Sequence, residues 1–230
     1  MSKLTWDDAG QRFYETGVKN GVLYVQETAA DGTVSYGKGV AWNGLISVTE
    51  SPSGAEATPL YADDMKYLEL RSAEEFGGTI EAYTYPDEFM ACDGSASIVD
   101  GVTVGQQTRK TFAFCYTTTV GNDTDKNDYG YKIHVVYGAT VSPSEKGYNS
   151  INDNPEAITF SWEFTTTPTV AEIKSGTYKT AVVTFDSNKI ANGKMTEIEN
   201  KLYGDNSNDA ALPSLQELLV LAGAEAKPAA

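Results

Sequence analysis

His134 is the only histidine, and Cys92 and Cys115 the only cysteines, in this chain of 230 residues. His134 stands between Ile133 and Val135 in an alternating run. A general base there would sit mid-strand, and a structural histidine on the less apolar face is the expected reading. A zinc site draws on clustered nitrogen and sulfur ligands, so here it would have to borrow scattered carboxylates. The two cysteines lie far apart, too few for a disulfide framework, and are expected as buried small hydrophobes. Asp123, Asp125 and Asn127 match positions one, three and five of an EF-hand calcium loop. Asp128 stands where that loop needs glycine, and His134 where it needs a bidentate glutamate. Both mismatches fall at restrictive positions, so a solvated acidic hairpin is expected there.

Catalytic motifs are missing as well. No glycine-rich phosphate loop, serine elbow or dinucleotide fingerprint is present. The 32 carboxylates contain no local spacing that marks a glycosidase pair, because that pairing is set in three dimensions. Neither an enzyme activity nor a metal or cofactor is expected. Fourteen Tyr and three Trp raise a second class, a carbohydrate-binding β-sandwich whose exposed rings stack on sugars. Trp162 and most of the tyrosines occupy alternating positions, which favours a core face or a buried interface. Trp6 and Trp42 cannot be placed by periodicity.

Charge narrows the partners. Seventeen basic against 32 acidic side chains leave a net charge of −15. A nucleic-acid reader needs clustered Lys and Arg to displace counterions, yet Arg109-Lys110 is the only adjacent basic pair. An anionic membrane surface would repel the chain too. The longest apolar run, Leu218 to Ala224, is far short of the ~20 residues that cross a bilayer. The opening MSKLTWDDAG lacks the apolar core of a secretory signal, so a cytosolic site of synthesis is expected.

Period-two alternation dominates the elements that must carry any site. Phe160, Trp162 and Phe164 share one face of a run from Thr159 to Thr165. Phe112, Phe114 and Tyr116 repeat the pattern, as do Ile133, Val135 and Tyr137, and Ala181, Val183 and Phe185. Val22–Val25, Leu45–Val48 and Thr79–Tyr85 also read as strands. Turn clusters separate them at Ala30-Asp31-Gly32, Gly121-Asn122-Asp123, Asn152 to Pro155 and Asp186 to Asn188. The fold class is therefore mainly β, an antiparallel sandwich or barrel. Two short helices follow late. One takes Thr196 and Glu199 as a capping box, with Ile198 and Leu202 on its apolar face and Gly204 as its stop. The other begins at Ser214 with Glu217. Residues 1–205 form one domain in this reading, and 206–230 a C-terminal arm whose end frays from Ala222.

One connection is unusually long. About seventeen residues, Glu50 to Lys66, carry two prolines and a glycine without clean periodicity. Loops of that length are usually functional or disordered. Leu60, Tyr61, Met65 and the following Tyr67 need a surface to bury against, so an intermolecular contact is expected.

Particular strings carry a resemblance. Trp42-Asn43-Gly44-Leu45 precedes Glu50-Ser51-Pro52-Ser53-Gly54-Ala55-Glu56 and Leu60-Tyr61-Ala62-Asp63-Asp64-Met65-Lys66-Tyr67-Leu68. Ser72 to Phe89 and Cys92-Asp93-Gly94 follow, then Phe112 to Tyr116, Gly121-Asn122-Asp123 and Tyr131 to Gly138. Pro143 to Lys146, Asn152 to Glu156, Ile158 to Pro168 and Lys201-Leu202-Tyr203-Gly204 complete the set. In number and order these strings resemble the major tail proteins, or tail tube proteins, of long, non-contractile-tailed phages of Gram-positive bacteria. The likeness spans roughly residues 40 to 205.

The resemblance implies a β-sandwich protomer in hexameric rings that stack into a hollow tail tube through which DNA passes. It implies a virion-tail location after synthesis in the host cytoplasm. A tape-measure protein inside the tube, tail terminator and baseplate or initiator proteins are the implied partners, with DNA as non-adhering cargo and no membrane. It assigns no catalytic site. It gives the long loop an inter-ring role, with Glu50, Ser51, Pro52, Ser53, Gly54, Ala55, Glu56, Leu60, Tyr61, Asp63, Asp64 and Lys66 as contact residues. A negative bore would let DNA slide without sticking, and the charge would keep monomers soluble. Stacking of like-charged rings is expected to strengthen with salt.

Overall fold

Phe112-Ala113-Phe114-Cys115-Tyr116 is apolar at every position, a composition suited to a strand covered on both faces. All five side chains are buried. In the computed structural model, which describes residues 3–151, 153 and 156–227, they lie in a wall with a core on either side. Asn152, Asn154 and Pro155 of the expected turn, and the last three residues of the expected fraying tail, lie outside the described residues.

The chain begins with β1 (Tyr14–Thr28), β2 (Val34–Tyr36), β3 (Val40–Trp42), β4 (Leu45–Glu50) and β5 (Ser53–Gly54). Next come β6 (Ala57–Ala62), β7 (Met65–Arg71), β8 (Glu74–Glu75) and β9 (Gly77–Ala82). A 3-10 turn (Asp87–Phe89) and α1 (Met90–Asp93) lead into β10 (Ala96–Val99) and β11 (Val102–Val104). The wall strands are β12 (Phe112–Asn122) and β13 (Lys126–Val141). After them come β14 (Phe160–Thr166), β15 (Thr169–Ile173), β16 (Gly176–Thr180) and β17 (Val182–Asp186). Two helices, α2 (Asn192–Tyr203) and α3 (Leu215–Leu221), complete the order.

The large sheet runs β2-β1-β12-β13-β14-β9-β4, all antiparallel, with β3 on β1 and β17 on β13. This is the mainly β fold with few short helices that the alternation predicts. One edge of β13 serves two strands in tandem, β17 against Lys132–Val136 and β14 against Ala139–Val141. Gly138 makes the changeover at φ 61°, where a Cβ would stand 2.4 Å from the Thr167 carbonyl oxygen. No side chain fits that approach. At the other end of the path, the Asn43-Gly44 turn joins β4 to β3, so the sheet curls back towards β1.

Inside the curl pack Leu23, Trp42, Ile80, Phe112, Trp162 and Phe164. Phe89, carried by the 3-10 turn, plugs one end, with ring centroids 4.5 Å from Trp42 and 5.0 Å from Trp162. The Phe89–Trp162 pair is edge-to-face, a geometry that adds about 0.5–1.5 kcal/mol beyond area burial. Asp93, at the end of α1, fastens the plug: it accepts from Trp162 Nε1 at 3.2 Å and Lys146 Nζ at 2.6 Å. That ammonium also lies 5.7 Å from the Tyr85 ring centroid.

The opposite face of the wall carries the second core. Cys115, Ile133, Val135 and Phe185 pack beneath Ile198, Leu202, Leu215 and Leu218. Tyr24 donates to the Leu202 carbonyl at 2.6 Å, satisfying one of the acceptors that a helix end leaves free. α3 starts on the expected Ser214–Glu217 capping box. α2 does not start at Thr196 as expected: it begins one turn earlier, at Asn192. Thr196 Oγ1 donates to the Asn192 carbonyl at 3.1 Å, and Glu199 accepts from the Tyr131 hydroxyl, so neither side chain caps. Leu212 is buried with α3, and Lys174 N donates to the Glu225 carbonyl at 3.0 Å. Residues 212–226 thus lie against the body. Among the described residues no helix is long and apolar enough to cross a membrane.

Candidate assembly surface

Glu50 to Lys66 is not the irregular loop that its composition predicts. It is most of a β-hairpin arm. At the stem, β5 pairs with β8 through Ser53–Glu75 and Gly54–Glu74, and Ser51 N donates to the Gly77 carbonyl at 2.8 Å. Pro52, with no N–H to offer, stands beside that bond. Ala55 (φ 53°) and Glu56 connect the stem to β6, and Ser72 and Ala73 return β7 to it. Asp63 and Asp64 form the turn with φ of 50° and 59°. Two successive left-handed residues suit the twist of a two-residue hairpin, and aspartate tolerates that region.

Pairing between β6 and β7 sorts the arm into two faces. Leu60 opposes Leu68 and Thr58 opposes Leu70 on one face, while Pro59 opposes Glu69 and Ala57 opposes Arg71 on the other. Glu69 holds Lys66 and, at 3.2 Å, Arg71. A register shift separates the Leu60–Leu68 pair from Tyr61–Lys66. That bulge steps the alternation by one residue, which hides the strand from a period-two reading. Every residue from 49 to 75 is exposed, Tyr61, Met65 and Tyr67 to about 70%. An isolated two-stranded hairpin is marginal in water, and this one leaves its leucine stripe uncovered.

Leu68, Leu70 and the Glu69 pairs lie just beyond the Glu50–Lys66 segment that composition marks as the contact loop. The Asp63-Asp64 turn between two apolar runs was the signal for them. A second exposed hairpin, β10–β11, in which Ile98, Val99 and Val102 face solvent, is not among the expected contact residues. There the Asp100-Gly101 dipeptide, with Gly101 at φ 80°, is a strong short-range hairpin signal.

The root of the arm is polar. Glu50 accepts from the Tyr116 hydroxyl at 2.6 Å and lies 3.8 Å from His134 Nδ1. Glu15 approaches His134 Nε2 at 3.4 Å from the other side, and the Tyr116 ring stacks on the imidazole at 4.8 Å. Burial pulls the His134 pKa below its ordinary value, against the opposing pull of Glu50 and Glu15. Burial, then the bond to Glu50, pushes Tyr116 far above the ordinary phenol range. His134 therefore sits on the Tyr116 face of β13, bonded to Thr118 and Thr184 hydroxyls at 3.0 and 3.2 Å.

The other candidates resolve simply. Asp123 accepts from the backbone amides of Gly10 and Arg12 at 3.0 and 3.3 Å in the β12–β13 turn. Among the described residues no group of three or more His, Cys, Asp or Glu is placed to hold a metal ion. Trp42 and Trp162 are internal, and Trp42 Nε1 donates to the Thr84 carbonyl at 3.0 Å. Trp6 is exposed. Set against known proteins, the chain matches no protein-family model and no curated protein.

Proposed function

We propose that this chain is a structural subunit that forms hexameric rings, stacked into the hollow tail tube of a long-tailed phage. The observation that carries the reading is the β6–β7 arm, an amphipathic hairpin with Leu60, Leu68 and Leu70 exposed on one face. Contiguous exposed apolar residues of this kind mark interaction sites. The arm falls where the resemblance expects an inter-ring element, and the ordered strings from Trp42 to Gly204 supply the resemblance itself. Head-to-tail stacking uses two different patches, does not close, and so grows a filament. The tape-measure, terminator and baseplate or initiator proteins then set its length and ends. DNA passes through the bore, and part of the acidic excess faces it, since rows of phosphate-binding lysines would hold the cargo. A tube with a neutral or basic bore would end that part of the proposal.

Negative-stain microscopy of the concentrated protein, alone and with an initiator complex, tests the reading. Rings or tubes support it. Uniform small particles under both conditions overturn it and favour the alternative, a monomeric carbohydrate-binding module, which glycan-array binding through Trp6 would then have to demonstrate.

A further inference from the structure

The arm leaves the curled sheet at one end, and a second exposed apolar feature stands at the other. β9 fixes the two ends: the arm returns to it at Gly77, and the plug and β10–β11 follow its last residue, Ala82. β12 runs between the same ends. Its Tyr116 bonds Glu50 at the arm root, and its Phe112 ring lies 5.4 Å from Phe89 in the plug. β10–β11 is tied to that plug by Gln107 N donating to the Gly94 carbonyl and Lys110 N to the Ala91 carbonyl, at 2.9 and 3.0 Å.

The two features match in chemistry. Asp100 is the only charge from Ser95 to Thr108, and Ile98, Val99 and Val102 are 64%, 60% and 49% exposed. The only adjacent basic pair in the chain, Arg109-Lys110, follows directly. Lys110 is exposed, and Arg109 Nε is buried without a hydrogen-bond partner among the described residues. The arm offers the complement, a leucine stripe ending in Asp63 and Asp64. Its strands are about 20 Å long, enough to lie across a neighbour's end. Contact of arm with arm would bring two Asp-Asp tips together if parallel, or set each tip against the other's Glu74-Glu75 stem if antiparallel, and like-charge repulsion disfavours both.

The geometry points to a second copy of this chain as the arm's partner, with β10–β11, Arg109 and Lys110 of that copy as the receiving surface. Leucines 60, 68 and 70 cover Ile98, Val99 and Val102, while the Asp63-Asp64 tip reaches the basic pair. The inference rests on the tube reading for the direction of stacking.

Engineered thiols test it in the full chain. One preparation carries Met65→Cys, a second Lys110→Cys, and a control Lys179→Cys; both native cysteines are buried. Under mild oxidation, the Met65→Cys and Lys110→Cys mixture is expected to cross-link severalfold more than either variant alone or with the control. Adding Asp63→Asn and Asp64→Asn to the arm, which keeps the turn geometry, is expected to cut that yield severalfold. Same-variant links that equal or exceed the mixed ones overturn the proposal, as does a mixed yield no higher than the control. Selective mixed links without rings or tubes in the microscope keep the contact and remove the tube reading. Tubes without those links remove the receiving surface and keep the tube.

Discussion

His134 and Asp93 mark the two ends of the curled sheet, and each has its own testable chemistry. His134 titrates below the ordinary 6.5 because burial disfavours the imidazolium more than Glu50 and Glu15 favour it. Between the folded and unfolded values the unfolded chain binds more protons, so stability rises with pH across that interval. Glu15 adds a slope of the same sign at lower pH. Burial would raise its pKa, but the bonds and charge of Lys132 hold it lower. Urea unfolding is expected to show stability falling from about pH 7 to 5, with His134→Gln flattening the upper part of that slope. An unchanged slope in the variant would refute this. At the plug end, Asp93→Ala leaves the Trp162 N–H and the Lys146 ammonium without their shared carboxylate. Because Lys146 keeps some contact with water, the expected cost is about 2–4 kcal/mol. Asp93→Asn, which preserves an acceptor for the indole, should cost less, and urea midpoints for the two variants measure the difference.

At the scale of elements, the arm and the body are separable. No residue from 49 to 75 is buried, so replacing residues 55–73 with a short turn is expected to change unfolding stability by no more than about 1 kcal/mol. The same deletion is expected to abolish rings and tubes. Loss of the folded monomer would show instead that the arm supports the body. The elements also differ in how far they could be read from sequence. Phe160–Phe164 was legible because burial of one face of a pleated strand imposes period two, and Phe112–Tyr116 and Ile133–Tyr137 were legible as β-branched and aromatic runs of a strand covered on both faces. The Ser214 helix was legible from its capping box. The arm was not, because a bulge shifts its alternation and no core face selects its residues. Nor was the Phe89 plug, since a 3-10 turn and one helical turn are too short for a 3.6-residue period to emerge. Thr196 and Glu199 have the right spacing for a cap but are committed elsewhere, to the Asn192 carbonyl and the Tyr131 hydroxyl. The long connection from Glu50 was legible in place, but its form, a hairpin with leucines on one face, needed the strand register.

For the whole molecule, a charge of −15 opposes any stack of identical subunits. Exposed ion pairs such as those proposed for the arm tip are worth about 0–1 kcal/mol each, too little to offset repulsion summed over whole subunits. Screening shortens from ~10 Å at 0.1 M salt to ~3 Å at 1 M, so light scattering from the concentrated protein is expected to grow with added sodium chloride. A steady decline would mean that ion pairs between subunits outweigh their mutual repulsion. The wall of β12 and β13 has a different consequence. Each core contains one native thiol, Cys92 inside the curl and Cys115 beneath the helices. Burial pushes both thiols up to about 12, so in the closed protein neither offers thiolate to an alkylating reagent near neutrality. Modification then waits on opening, and each sulfur acts as a clock for its own compartment. Peptide mapping of the label over time would reveal whether the helical layer lifts before the curl unrolls, or whether the shared wall makes both open in one event.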